Sequence, residues 1–187
     1  MNKSLCFLLA ALFVIPAYAV DSYTIDPNHT WPMFEVNHLG YSTQRGRFNK
    51  TSGKITLDVA NKKGSVDLTI ESNSLDMGFA KWNEHMKGEE FFDATEYPTI
   101  RFTSDKLLFD GDKVVGAEGN FTLLRQTHPL TLRVDGFHCA PFPMTKKMHC
   151  GGNISAIILR SKYGMARYLS MIGDEIKISS PVEADKD

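Results

Sequence analysis

The chain has 187 residues, of which 42% are hydrophobic and 23% charged, and its formal net charge at pH 7 is −1. That balance suits one folded domain with a real core and argues against a disordered or low-complexity protein. With 21 basic against 22 acidic residues and no basic cluster, a nucleic-acid partner is excluded.

The first predicted element is a targeting segment. Lys3 precedes an apolar run from Leu5 to Ile15, then comes Pro16 and the small-x-small site Ala17-Tyr18-Ala19. Residues 1–19 therefore read as a cleavable secretory signal, with the mature chain starting near Val20 as one domain over 20–187. The apolar run is too short to span a bilayer and no comparable run follows, so no transmembrane anchor is expected after cleavage. Cys6 lies inside that run rather than beside the cleavage site, which disfavours a lipid anchor. Cleavage removes Lys3 alone among the charged residues and leaves 20 basic against 22 acidic.

The mature sequence is mostly short period-2 runs bounded by turn residues, the pattern of antiparallel strands with one apolar face. Phe34, Val36 and His38 alternate with Glu35 and Asn37. Ile55, Leu57 and Val59 form one strand and Val66, Leu68 and Ile70 the next, with a hairpin turn over Asn61–Gly64. A helix is predicted over Phe79–Phe92, with Phe79, Trp82 and Met86 on one face and Asn73 or Ser74 as its cap. Ile100 and Phe102 open a strand after Pro98 that runs to a turn at Asp110-Gly111-Asp112. Further strands follow at Val115–Leu124, Leu130–Phe137, Ile154–Leu159 and Ile176–Ile178, with a second short helical candidate at Met165–Met171. Eight or nine strands without βαβ alternation predict an all-β, antiparallel up-and-down barrel or a sandwich with one or two short helices. At about eight strands a barrel either fills with side chains or holds one small ligand.

Two cysteines remain after cleavage, Cys139 and Cys150. In an oxidising compartment an even pair predicts one disulfide, contributing on the order of 3 kcal/mol in the chain-entropy model. A rival reading takes His138, Cys139, Met144, Met148, His149 and Cys150 as a copper(I) donor set. The spacing matches no zinc pattern, and pairing of the sulfurs would leave only His and Met. His85 and Glu89 lie at i, i+4, but the second histidine of an H-E-x-x-H motif is missing. No metal site, cofactor or catalytic residue is expected: there is no G-x-S-x-G elbow, no phosphate-binding glycine loop and no S-x-x-K motif.

Two motif blocks carry a family resemblance. The first is Tyr23–Asp26 followed by His38, Leu39, Gly40, Ser42, Gly46 and Phe48. The second is His85, Met86 and Lys87, then Phe91, Phe92 and Asp93, then Tyr97, Pro98, Ile100 and Phe102. Together they resemble the YceI-like family of periplasmic isoprenoid-binding proteins, which have a lipocalin-like barrel. The chain departs from the family at Phe121–Leu130, where the glycine of L-T-L-x-G-x-T-x-P is missing, and in its Cys139–Cys150 hairpin, which many relatives lack.

The resemblance implies a periplasmic protein whose barrel sequesters or carries a long isoprenoid, such as a quinone tail or polyprenyl phosphate, or a similar fatty lipid. Burying some 15 methylene equivalents at about 0.8 kcal/mol each gives roughly 12 kcal/mol gross, comparable with the ~4–15 kcal/mol that association costs. Alternation selects Phe34, Val36, Phe48, Leu57, Leu68, Ile100, Phe102, Phe121 and Leu123 as the pocket lining, with His38 in phase. Arg47, Arg101, Arg125 and Arg160 are candidates to meet a polar headgroup. The alternatives are a filled barrel with a structural or stress-response role, and an electron-transfer or metal partner acting through the Cys139–Cys150 hairpin. A homodimer is compatible with the sequence.

Overall fold

The structure, a computed structural model, describes residues 20–187; the expected signal segment lies outside them. Eleven strands follow in order: β1 (Asp21–Ile25), β2 (Met33–His38), β3 (Ser42–Phe48), β4 (Thr51–Asp58), β5 (Lys63–Glu71), β6 (Leu75–Asp76), β7 (Thr99–Asp110), β8 (Lys113–Leu123), β9 (Gln126–Pro141), β10 (Met148–Leu159) and β11 (Ile172–Lys186). Among the described residues one α-helix, α1 (Ala80–Lys87), stands between β6 and β7. The order β1-β4-β5-β7-β8-β9-β10-β11-β2-β3-β6, with β1 also pairing β11, closes the sheet on itself.

Eleven segments make an eight-stranded antiparallel barrel because three staves are broken. β1 and β2 share one edge of β11, with Ile25 opposite Ala184 and Met33 opposite Ser179. β3 pairs β2 while β4 pairs β1, and β6 pairs β3 while β5 pairs β4. Each broken stave therefore lies beside another broken one, and the remaining five run unbroken.

Side chains stitch the breaks. In the gap between β1 and β2, the fully buried Thr30 hydroxyl accepts the Glu183 N–H at 3.0 Å and donates to the Glu183 carbonyl at 3.2 Å. Such a gap would otherwise strand backbone groups without partners. Between β5 and β6 a 3-10 turn at Ser72–Ser74 takes over; the Ser74 hydroxyl donates to the Glu71 carbonyl at 2.7 Å and accepts the Lys50 N–H at 3.1 Å.

The helix is shorter than predicted. It stops at Lys87 before Gly88, a poor helix former, and the chain folds back so that the Phe92 N–H reaches the Met86 carbonyl at 3.1 Å. Phe91 and Phe92 are thereby buried at the barrel end. Asn73 and Ser74 belong to the 3-10 turn and do not cap α1, which carries no side-chain cap; instead Asn83 accepts the Met77 N–H at 2.6 Å. Met165–Met171 forms turns rather than a helix, after Gly164 in a left-handed conformation.

At the β8–β9 connection Leu124 and Arg125 have φ of 49° and 59°, and Leu123 pairs with Gln126. This is a two-residue turn of the primed type, so Arg125 occupies a left-handed position where the family pattern has glycine. Among the described residues, no helix is long and apolar enough to cross a membrane.

Candidate functional site

Inward-facing side chains leave two apolar cavities along the barrel, one in each half. The first has about 130 Å³ open to the centre of a water molecule and lies in the half away from α1, between Leu57, Leu68, Phe102, Leu107, Leu132 and Val134. The second has about 90 Å³ and lies in the α1 half, bordered by Phe34, Val36, Phe48, Phe92, Ile100 and Leu123. Pro32, Ile70, Phe121 and Ile178 border both, so they form a waist between two chambers of one bore.

All nine apolar residues selected by alternation face one chamber or the other, and Phe121 faces both. His38 does not; its ring lies 6.4 Å from that of Trp82 at the end of β2. Further lining residues come from β9–β11, including Leu130, Ile154 and Val182, and from the segment after α1 through Phe91 and Phe92. Three rings organise the α1 half: Phe92 lies 5.7 Å from Phe34 and 5.3 Å from Phe48, edge-on to the latter.

The four arginines do not converge. Arg101 pairs in bidentate fashion with Asp67 at 2.9 and 2.6 Å; flanked by the inward Ile100 and Phe102, it has to face outward. Asp67 is held below the usual carboxylate range, first by that hydrogen bond. Arg47 sits 5.7 Å over the Trp31 ring, with Asp76 at 3.9 Å. Arg125, at the β8–β9 turn, pairs with Glu96 at 2.9 Å and covers Tyr97.

Arg160 differs from these three. Only 2% exposed, it is the one charged residue bordering the bore among the described residues. Its guanidinium donates to the carbonyls of Gly173, Met165, Arg167 and Ile172 at 2.7–3.0 Å, tying the loop between β10 and β11 to the barrel end. Burial pulls its pKa down, against the pull of the nearby Asp174. These four carbonyl bonds make it a loop staple, whereas the sequence alone suggested a headgroup contact.

Cys139 and Cys150 stand directly opposite one another on β9 and β10 and form a disulfide. Pairing removes both sulfurs as metal ligands, so the copper(I) donor set is not present. Neither chamber is bordered by a serine, histidine, aspartate or glutamate among the described residues, so the bore presents no nucleophile with a base beside it. What the arrangement can do chemically is exclude water from an extended apolar object.

Comparison with known proteins agrees with this architecture. The YceI-like domain model matches residues 23–184. A UPF0312 protein of Vibrio cholerae is 38% identical over 141 residues, 72% of this chain and 74% of that one. Among solved structures, BcnA of Burkholderia cenocepacia superposes with a TM-score of 0.71 at 23% identity, covering 85% of this chain and 98% of BcnA. A polyisoprenoid binding domain from Saccharophagus degradans gives 0.61 at 15% identity, covering 88% and 98%. On the match across nearly the whole described chain, this protein belongs to the YceI-like family.

Proposed function

We propose that the protein binds one long apolar chain, isoprenoid or acyl, in the barrel bore and sequesters or carries it in the periplasm without chemical turnover. The observation that carries this reading is the bore itself: two chambers in line, bordered among the described residues by apolar and aromatic side chains, glycine backbone and a single arginine. The Saccharophagus neighbour, described as a polyisoprenoid binding domain, supports the same reading. Export rests on the signal pattern of residues 1–19, and the disulfide accords with an oxidising compartment.

The bore's length sets the scale of the ligand. From Val114 to Leu123, β8 lines it over nine residue steps. At about 3.3 Å per step and a tilt of roughly 40°, the axial length is on the order of 20–25 Å. An extended chain advances about 1.2 Å per bond, so roughly 15–20 carbons fit end to end once Phe121 turns aside at the waist. A chain half that long gains only about 6 kcal/mol gross, within the cost of association, and binds weakly.

The test is a titration of the delipidated protein with a series of prenyl and acyl chains of increasing length. Affinity should rise by about 0.8 kcal/mol for each added methylene until the bore is full, then level off. Affinity independent of chain length, or no binding at any length, would identify a filled barrel that acts through its surface.

A further inference from the structure

On the outer wall, closure of the barrel gathers five ionisable side chains that are far apart in sequence. Asp26 and His29 belong to the connection between β1 and β2, His149 to β10, and Glu183 and Asp185 to β11. His29 Nδ1 lies 2.6 Å from Asp26 Oδ2 and 3.8 Å from Glu183 Oε2, and the three donor atoms lie within 4.8 Å of one another. His149 Nε2 is 2.8 Å from the same Glu183 oxygen, and its Nδ1 is 2.9 Å from Asp185 Oδ1.

We propose that Asp26, His29, His149 and Glu183 form a binding site for a first-row divalent cation, with zinc the geometric match. Two imidazoles and two carboxylates are an ordinary zinc donor set, with bonds of about 2.0–2.2 Å. A tetrahedron with such bonds has edges of roughly 3.3–3.5 Å. The separations of His29 from Asp26 and Glu183, 2.6 and 3.8 Å, straddle that value, so these three donors need only small movements; His149, which reaches the set through Glu183 at 2.8 Å, has to swing further in to complete the shell.

A second feature points the same way. Asp185 holds the far nitrogen of His149 and aims Nε2 into the cluster, the carboxylate–histidine arrangement that orients metal-bound imidazoles. His149 is itself well placed for this, with its side chain 14% exposed and its ring 5.0 Å from Phe142 in the disulfide-closed hairpin. A cleft of about 510 Å³ bordered by His138, Phe142, His149 and Glu183 leads to the site. A bound cation would displace the ring N–H protons now shared with the carboxylates and tie the broken β1–β2 stave to β10 and β11. Asp185 acts through His149 and is a positioning residue.

Calorimetric titration of the mature, disulfide-intact protein with zinc chloride tests this. One equivalent should bind with micromolar or tighter affinity and raise the melting temperature. His29→Gln changes a 56% exposed side chain, so it should leave the fold intact while weakening binding tenfold or more, and His149→Gln should do likewise. Asp185→Asn should weaken binding by about 10–100-fold without altering the one-to-one stoichiometry. Absence of saturable binding up to 0.1 mM zinc would overturn the proposal, as would binding that His29→Gln and His149→Gln leave unchanged.

Discussion

Gly46 links the fold to the bore, and adding a single methyl there should perturb both. Gly46 stands opposite Phe34 in the β2–β3 register, and a Cβ at that position would lie 2.5 Å from Met77 Sδ and 2.6 Å from two Phe34 ring atoms. Met77 is flexible and can yield. The Phe34 ring is confined by Phe48 at 6.2 Å and Phe92 at 5.7 Å, so it yields into the α1-side chamber. Overpacking of this kind costs about 1–3 kcal/mol. At roughly 2–4 °C per kcal/mol for a domain of this size, Gly46→Ala should lower the melting temperature by about 2–12 °C.

The displaced ring also takes up room for one or two methylenes. At about 0.8 kcal/mol each, long-chain affinity should fall roughly 4–15-fold. Thermal unfolding by circular dichroism and competition with a fluorescent fatty ligand read the two effects. Gly40→Ala is the control: Gly40 has φ of +75° and nothing within 4 Å of the added Cβ. It should lose about 1 kcal/mol through the backbone alone and leave affinity unchanged. A Gly46→Ala protein with the wild-type melting temperature and affinity would refute this account of how Phe34 is packed.

Other perturbations separate the remaining roles. Phe121→Ala at the waist should cost about 3–5 kcal/mol, seen as a lowered urea midpoint, yet extend the chain length at which affinity levels off, since the two chambers merge. Arg160→Met leaves four carbonyls without their donor and should destabilise by about 3–5 kcal/mol, with amide exchange accelerating first in residues 160–173. The Asp67–Arg101 pair is half exposed on both sides, so Arg101→Ala should change stability only slightly at neutral pH and leave chain binding untouched. Because Arg101 lowers the Asp67 pKa, the pair's contribution is complete above about pH 3.9 and is lost as pH falls through the depressed value. Acid unfolding curves of wild type and Arg101→Ala should therefore differ above that window and converge below it.

Much of the bore was legible because strands β2–β8 alternate over most of the stretch that lines it: Phe34 and Val36, Ile100 and Phe102, Phe121 and Leu123 each face inward two residues apart, while register shifts between β7 and β8 put Leu107 and Val114 on the opposite phase. The later strands obscure the same rule. On β9, Leu130, Leu132 and Val134 line the bore in phase, but Gly136 at φ +69° opens a bulge and Phe137 faces in on the opposite phase. On β10 the run Ile157-Ile158-Leu159 is apolar on both faces, although only Ile158 is buried. The broken staves hid strand pairing as well, since nothing local announces that Thr30 or Ser74 will bridge a gap.

Residue type alone marks Arg47 and Arg101 as candidates for headgroup contacts, yet their own alternation with inward neighbours turns them to solvent. Arg160 is the reverse case: its guanidinium is held by carbonyls of the β10–β11 loop and of the first residues of β11, and the path of that loop cannot be read from sequence. The histidine–carboxylate cluster had no local spacing at all, because Asp26 and Glu183 meet only where β1 and β11 close the barrel. The Cys139–Cys150 pairing, by contrast, needed only an even count and an oxidising compartment.

On this reading an apolar chain occupies the bore. Native mass spectrometry of the protein, purified without detergent from its own host and paired with lipid extraction of the same sample, tests it most directly. Close to one isoprenoid or acyl amphiphile per barrel should be found, removable by organic extraction with the disulfide intact. A protein recovered at its bare polypeptide mass, and unable to take up any prenyl or acyl chain offered afterwards, would contradict it.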